Sequence, residues 1–322
     1  MMKRILSVLL AAALCVGMLA GCNQTEEPAS GESSSQSQVV DYAYPLDAES
    51  VRVYDVAVPS RGIEIPGTLT LPAGEEGELV PLVILEHDLF GDRSTDGVFE
   101  EIALALADKG IASIAVDFSG CGDSSEDFSA NSPFYIDFDV KAARDFAIQN
   151  APVDSEKLGL LGYGFGARMA MDAGALKNSP YTAMSLIAPM VGDPEETMQL
   201  IFGSEYDRIV AEAFTEARSS EFVGPDGVSR SISVNWIDDM RLSCPMNNVE
   251  NIKGSLQVIY ATNDEYVPLS VVEALLNGAE ASTAEVTSLQ VDSDHSFGFD
   301  DPESPVRAQV IEAVAAFFDE AF

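Results

Sequence analysis

Lys157-Leu-Gly-Leu-Leu-Gly-Tyr-Gly-Phe-Gly-Ala-Arg-Met-Ala170 is the stretch on which the fold is decided. Leu158 to Leu161 is a short apolar run of the length expected for a buried parallel strand. Three alternate glycines follow, Gly162, Gly164 and Gly166, and then an Ala/Met-rich segment with good helix formers. The string predicts a strand, a sharp turn and a helix in immediate succession.

Working outward, apolar runs and helical periods alternate on both sides. Val51–Val58 and Ile63–Leu71 predict an antiparallel opening hairpin. Pro81–Glu86, Ile111–Phe118, Thr182–Pro189, Leu256–Thr262 and Val286–Val291 predict strands. Val98–Lys109, Phe134–Gln149, Pro268–Asn277 and Pro305–Phe322 predict helices between and after them. Strand–helix alternation with right-handed crossovers implies an α/β fold, a mostly parallel sheet covered by helices on both faces. Periodicity weakens over residues 192–248. That region predicts an inserted helical cap, with helices over Glu195–Phe202 and Tyr206–Ala217, a break at Gly224–Ser231 and the only tryptophan, Trp236.

The N-terminus is of a different kind. Lys3 and Arg4 precede an apolar stretch, Ile5–Val16, and Leu19-Ala20-Gly21-Cys22 closes it, the layout of an export signal over residues 1–21. The tetrapeptide resembles a bacterial lipobox, which implies lipidation at Cys22. Residues 22–40 are rich in Glu, Ser, Gly, Pro and Gln and predict a flexible tether. The expectation is a globular domain, residues 41–322, held outside the cytoplasm on a lipid at the bacterial cell membrane. The formal net charge is −36, and loss of Lys3 and Arg4 would take it two units further. Such a body repels nucleic acid and anionic lipid, so the lipid alone is expected to reach the membrane. Cys121 and Cys244, far apart in sequence, read as two buried thiols in preference to a bridge.

Five stretches carry a resemblance to the α/β-hydrolase superfamily, closest to its esterase and serine aminopeptidase-like group. His87-Asp-Leu-Phe-Gly-Asp-Arg-Ser94 resembles the H-G-F-x-G oxyanion loop. Asp117-Phe-Ser-Gly-Cys-Gly-Asp-Ser124 resembles the D-x-x-G-H-G-x-S turn, with Cys121 in place of histidine. Gly162-Tyr-Gly-Phe-Gly166 resembles the G-x-S-x-G nucleophile elbow. Ala261-Thr-Asn-Asp-Glu-Tyr-Val-Pro268 and Asp294-His-Ser-Phe297 resemble the loops of the triad acid and histidine. The resemblance implies Asp264 and His295 as acid and base, and the N–H groups of Leu89 and Phe165 as oxyanion donors. It implies a pocket bordered by His87, Asp88, Cys121 and Tyr163. His87 reads as a loop-shaping residue.

Two positions depart from the pattern at the reacting centre. Gly164 stands where the serine is required and offers no attacking atom. Asp88 stands where glycine is usual, and an ionised carboxylate there would oppose a developing oxyanion. Glycine suits the strained elbow backbone, so Gly164→Ser is expected to fold and to regain slight hydrolysis of an activated ester. Three readings follow: a non-catalytic pocket for a small molecule or peptide; a hydrolase or lyase that uses the His295–Asp264 dyad as general base; or a relocated nucleophile, Cys121 being the candidate. No cofactor is implied, and no segment has metal-ligand spacing.

Overall fold

A computed structural model describes residues 41–322; the predicted signal, Cys22 and the tether lie outside the described residues. The sheet has eight strands: β1 (Arg52–Ser60), β2 (Ile63–Leu71), β3 (Val80–Glu86), β4 (Ala112–Val116), β5 (Val153–Tyr163), β6 (Tyr181–Ile187), β9 (Ser255–Ala261) and β10 (Glu285–Val291). Their order is β1-β2-β4-β3-β5-β6-β9-β10. The opening hairpin pairs antiparallel and joins β4 antiparallel, while every later pairing is parallel. β3, β5 and β6 lie centrally, and their apolar runs are buried on both faces.

Helices α1 (Val98–Ala107), α2 (Pro133–Asn150), α3 (Phe165–Gly174) and α7 (Leu269–Ala279) fill crossovers, and α8 (Pro305–Ala321) follows the last strand and packs back on the sheet and α1. The long ones begin where the sequence offers caps. Ser132 accepts from the N–H of Tyr135 ahead of α2, and Ser304 from that of Arg307 ahead of α8, each followed by proline at the first helical position.

The region over residues 192–248 is only partly helical. α4 (Pro194–Phe202) forms as expected, but α5 stops at Ala213 (Tyr206–Ala213). There the Thr215 hydroxyl donates to the Glu212 carbonyl at 2.6 Å, a local bond that competes with helix continuation. The predicted break instead turns a two-stranded ribbon, β7 (Ser219–Val223) against β8 (Ser229–Ser233), followed by α6 (Val234–Leu242).

Two buried side chains fasten this cap to the sheet. Trp236 of α6 stacks on Phe165 at 5.8 Å and meets Phe202 edge-on at 5.4 Å. Arg168 of α3, wholly buried, donates to Ser243 Oγ and Met190 O at 2.7 Å each and to Gly192 O at 3.1 Å. Cys121 and Cys244 are both free thiols, but only Cys121 is buried; Cys244 is half-buried. Among the described residues no helix is long and apolar enough to cross a membrane.

Candidate active site

The elbow is a tight passage from β5 into α3. A Cβ at Gly162 would press on Ala167, and one at Gly166 on the Glu86 carbonyl of β3, so both flanking glycines are required by close backbone approach. Gly164, between them, has φ 58 and ψ −114, a conformation that favours glycine. It leaves the N–H of Phe165 without an intrahelical partner at the start of α3, at the carboxyl edge of the sheet, where open α/β folds bind ligands.

His295 stands over this turn. Its Nδ1 lies 3.0 and 2.9 Å from the two carboxylate oxygens of Asp264, which also accepts the N–H groups of Tyr266 and Val267 at 2.9 Å each. The ring is held from both sides, stacked on Tyr163 at 5.6 Å and met edge-on by Tyr266 at 4.9 Å. The Tyr163 hydroxyl donates to the His295 carbonyl at 2.8 Å. An oriented imidazole with a buried carboxylate behind it is therefore present.

What faces the free side of the imidazole is Asp88. Its Oδ1 accepts the N–H of Phe165 at 2.6 Å, and its Oδ2 lies 3.4 Å from His295 Nε2. The carboxylate thus spans the oxyanion donor and the base and takes the volume above Gly164. Burial alone would lift the Asp88 pKa. The bond to His295, its charge and the N–H groups of Phe165 and Leu89 outweigh burial and hold the carboxyl below its usual range. Burial would likewise lower His295, but the flanking Asp264 and Asp88 raise it to about 10. With that shift the ring carries a proton at neutral pH and sits between two carboxylates.

The remaining predicted pocket residues separate into two groups. Asp88, Leu89 and Tyr163 line a cavity of about 470 Å³ together with Phe90, Met190, Ile201 and Tyr266. His87 and Cys121 are not among its walls. His87 is fully buried, with Nδ1 2.6 Å from the Asp88 carbonyl and Nε2 accepting the Phe118 N–H at 3.0 Å. It braces the oxyanion loop against the β4 loop, the loop-shaping role expected of it. Cys121 donates to the Leu89 carbonyl at 3.4 Å, and burial foremost pushes its thiol up to about 12. The thiol is thus held protonated and bonded to the oxyanion loop, a state that disfavours nucleophilic attack. Sequence reasoning missed the contributions of Asp226 and Arg230 at the β7–β8 ribbon. Arg230 pairs with Asp226 at 2.6 Å and lies 4.9 Å above the Phe90 ring beside the cavity. The Gly-Pro-Asp-Gly turn at residues 224–227 was the available signal for that ribbon.

Sheet order, elbow and the dyad on successive carboxyl-edge loops define an α/β hydrolase. Residues 89–290 match the serine aminopeptidase, S33, family, and the chain belongs to that family. No curated protein matches the chain. Among solved structures it is similar to Est1E from Butyrivibrio proteoclasticus with ferulic acid bound (TM-score 0.66, 20% identity, covering 83% of this chain and 98% of that one). It is similar also to the acylaminoacyl peptidase of Pyrococcus horikoshii (0.61, 18%, 85% and 42%). The esterase domain of a Rhodothermus marinus protein gives 0.60 and 18%, covering 84% of this chain and 98% of that domain. At such identities the likeness is one of fold.

Proposed function

We propose that the chain is an extracytoplasmic lipoprotein, anchored through Cys22, whose hydrolase cavity binds a small molecule or short peptide and no longer cleaves esters or peptide bonds by the serine route. The observation that carries this reading is the Asp88 carboxylate on the Phe165 N–H. Serine hydrolysis needs a hydroxyl at residue 164 and an empty donor for the substrate oxyanion. Gly164 supplies no hydroxyl, and Asp88 already holds the donor with a negative charge. The ring that would have to accept a proton already carries one, which speaks against the dyad acting as a simple base on bound water.

The cavity that remains has the volume and mixed lining of a small-molecule site. A panel of activated aryl esters and aminoacyl anilides tests the reading, with wild type compared against His295→Ala. No turnover above background is expected from either. Hydrolysis by wild type that disappears in His295→Ala would overturn the proposal. For the anchor, Cys22→Ala should release the domain from the membrane fraction, and retention there would overturn it.

A further inference from the structure

Away from the elbow, where α2 and α6 pack together, the two helices border a groove on the flank of the domain. Helical spacing puts Phe134, Asp137, Phe138 and Lys141 on one face of α2, and Asn235, Asp239 and Leu242 on one face of α6. A cavity of about 390 Å³, with Met169 and Asp172 of α3 in its wall, meets a smaller one of about 170 Å³ at Phe134 and Asp239, which border both. None of these residues borders the cavity over the elbow. We propose that this groove is a docking site for an extended segment of another protein that carries a lysine or arginine beside bulky apolar side chains. The proposal is independent of what the elbow cavity does.

The groove is short of positive charge. Asp137 pairs with Lys141 at 2.6 Å, but Asp239 has no cation among the described residues, since Arg241, two residues on, pairs with Glu195 and Asp238. Asp172 accepts from the Ser243 hydroxyl, which in turn takes a bond from Arg168 Nε at 2.7 Å, so the guanidinium reaches Asp172 only through that hydroxyl. Glu86 of β3, on the sheet beneath, feels the charges of Asp137 and Asp172, and neither of its oxygens has a partner among the described residues. At the other end Asn131, 1% exposed, borders the smaller cavity. Its amide N–H goes to the Ser119 carbonyl at 2.8 Å, while its Oδ1 receives no hydrogen bond from the described residues. A buried acceptor left open is costly. Every open polar atom named here is an acceptor, so the occupant must bring donors and positive charge.

The rim supplies the apolar half of the site. Leu242 is 82% exposed and Phe134 56%, Phe138 meets Phe134 edge-on at 4.9 Å, and Leu176 is exposed on the same groove. Large apolar side chains grouped in this way mark a contact surface. The chain itself is a poor occupant. Its formal net charge of −36 makes two copies repel, and residues 22–40 carry Glu26, Glu27 and Glu32 with no lysine or arginine. A basic and apolar segment complements both features. Its positive group belongs at Asp172 and Asp239, its apolar side chains over Phe134 and Leu242, and a main-chain N–H at the Asn131 end.

Acetyl-Leu-Lys-Phe-Leu-amide and its glutamate counterpart, acetyl-Leu-Glu-Phe-Leu-amide, are the probes, titrated by calorimetry into the full chain at low salt. The lysine peptide should bind and the glutamate peptide should not. Asp239→Asn and Leu242→Ser, both away from the packed core, should each weaken binding about fivefold. Asp238→Asn makes the same change in net charge beside the groove face and should leave binding unchanged. Cys244 borders the groove and is half-buried, so bound lysine peptide should slow its alkylation by iodoacetamide, followed by peptide mass. Equal affinity for the two peptides overturns the proposal. So does equal weakening by Asp238→Asn and Asp239→Asn, which would mean attraction by net charge alone. Binding without protection of Cys244 would seat the peptide elsewhere, the elbow cavity included, and overturns it too. A concentration-dependent dimer that Leu242→Ser dissolves would assign the face to a second copy and likewise overturn it.

Discussion

Asp88 fills the space into which a side chain on Gly164 would project. A Cβ built at Gly164 would come within 2.9 Å of Asp88 Oδ2 and would overlap Oδ1 and Cγ outright. The two departures from the family pattern are therefore structurally coupled: a side chain at residue 164 needs the Asp88 carboxylate to move. Gly164→Ser is accordingly expected to be destabilised, by about 2–4 kcal/mol from backbone strain and overpacking together, and to stay inactive on esters. That departs from the expectation from sequence, in which folding was judged from the backbone and Asp88 was weighed only as a charge opposing the oxyanion. Adding Asp88→Gly should recover most of the lost stability and give the first ester hydrolysis. A double-mutant cycle by denaturant unfolding reads the coupling; additive effects would show that the two sites do not share this volume.

The same pair shows how far sequence could go. The elbow glycines, Asp264 and His295 were legible because each sits in a short local pattern at the end of an apolar run, and the order of those runs dictates the sheet. The seat of Asp88 was not legible: it depends on how closely the β3 loop approaches the elbow, a tertiary distance with no local signature. The β7–β8 ribbon was hidden for another reason. Ser219–Val223 and Ser229–Ser233 are short and largely polar, and they are held by pairing with each other and packing under Phe202 and Phe90 rather than by any alternation of their own.

His295 should titrate far above an ordinary histidine. Its folded pKa, about 10 against 6.5 for an unperturbed histidine, means that the folded state holds a proton the unfolded state gives up. Its contribution to stability is thus complete below about pH 6.5 and is lost as pH rises toward 10. Asp88→Asn removes one of its two charged partners and should bring the titration down. NMR of the imidazole carbons checks both statements; a wild-type midpoint near 6.5 would refute the imidazolium.

Glu86 closes β3 inside the core with no exposed surface and, among the described residues, no hydrogen-bond partner for either carboxyl oxygen. Burial raises its pKa well above the carboxylate range, with the charges of Asp137 and Asp172 adding to the shift. The sign is opposite in consequence to that of a salt-bridged acid. Folding is favoured when Glu86 is protonated, and this part of stability is lost as pH climbs above its unfolded value. Glu86→Met keeps the unbranched shape and removes the unpaired polar atoms. It should stabilise the protein at pH 7 by about 1–3 kcal/mol, with a smaller gain at pH 4. A loss of stability at pH 7 would mean that the carboxyl has a polar partner such as buried water.

Trp236 is wholly buried between the elbow and the cap, stacked on Phe165 and edge-on to Phe202. Phe165 also supplies the N–H that Asp88 accepts, so the ring that anchors the cap lies one residue's width from the reacting centre. Truncation to alanine should cost about 3–5 kcal/mol, the usual range for a large aromatic removed from a packed core. The loss should extend beyond packing: with its stacking partner gone, Phe165 is free to shift and the Asp88 bond weakens, so the His295 midpoint should fall in Trp236→Ala as well. A conservative Trp236→Phe keeps a ring against Phe165 and should leave that midpoint unchanged while still losing part of the stability. Because Trp236 is the only tryptophan, its fluorescence reports the cap in wild type without labelling. If it unfolds at the same denaturant concentration as the far-ultraviolet dichroism of the sheet, cap and sheet form one cooperative unit; an earlier fluorescence transition would show that the Phe165 stack and the Arg168 bonds do not hold the cap as tightly as their burial indicates.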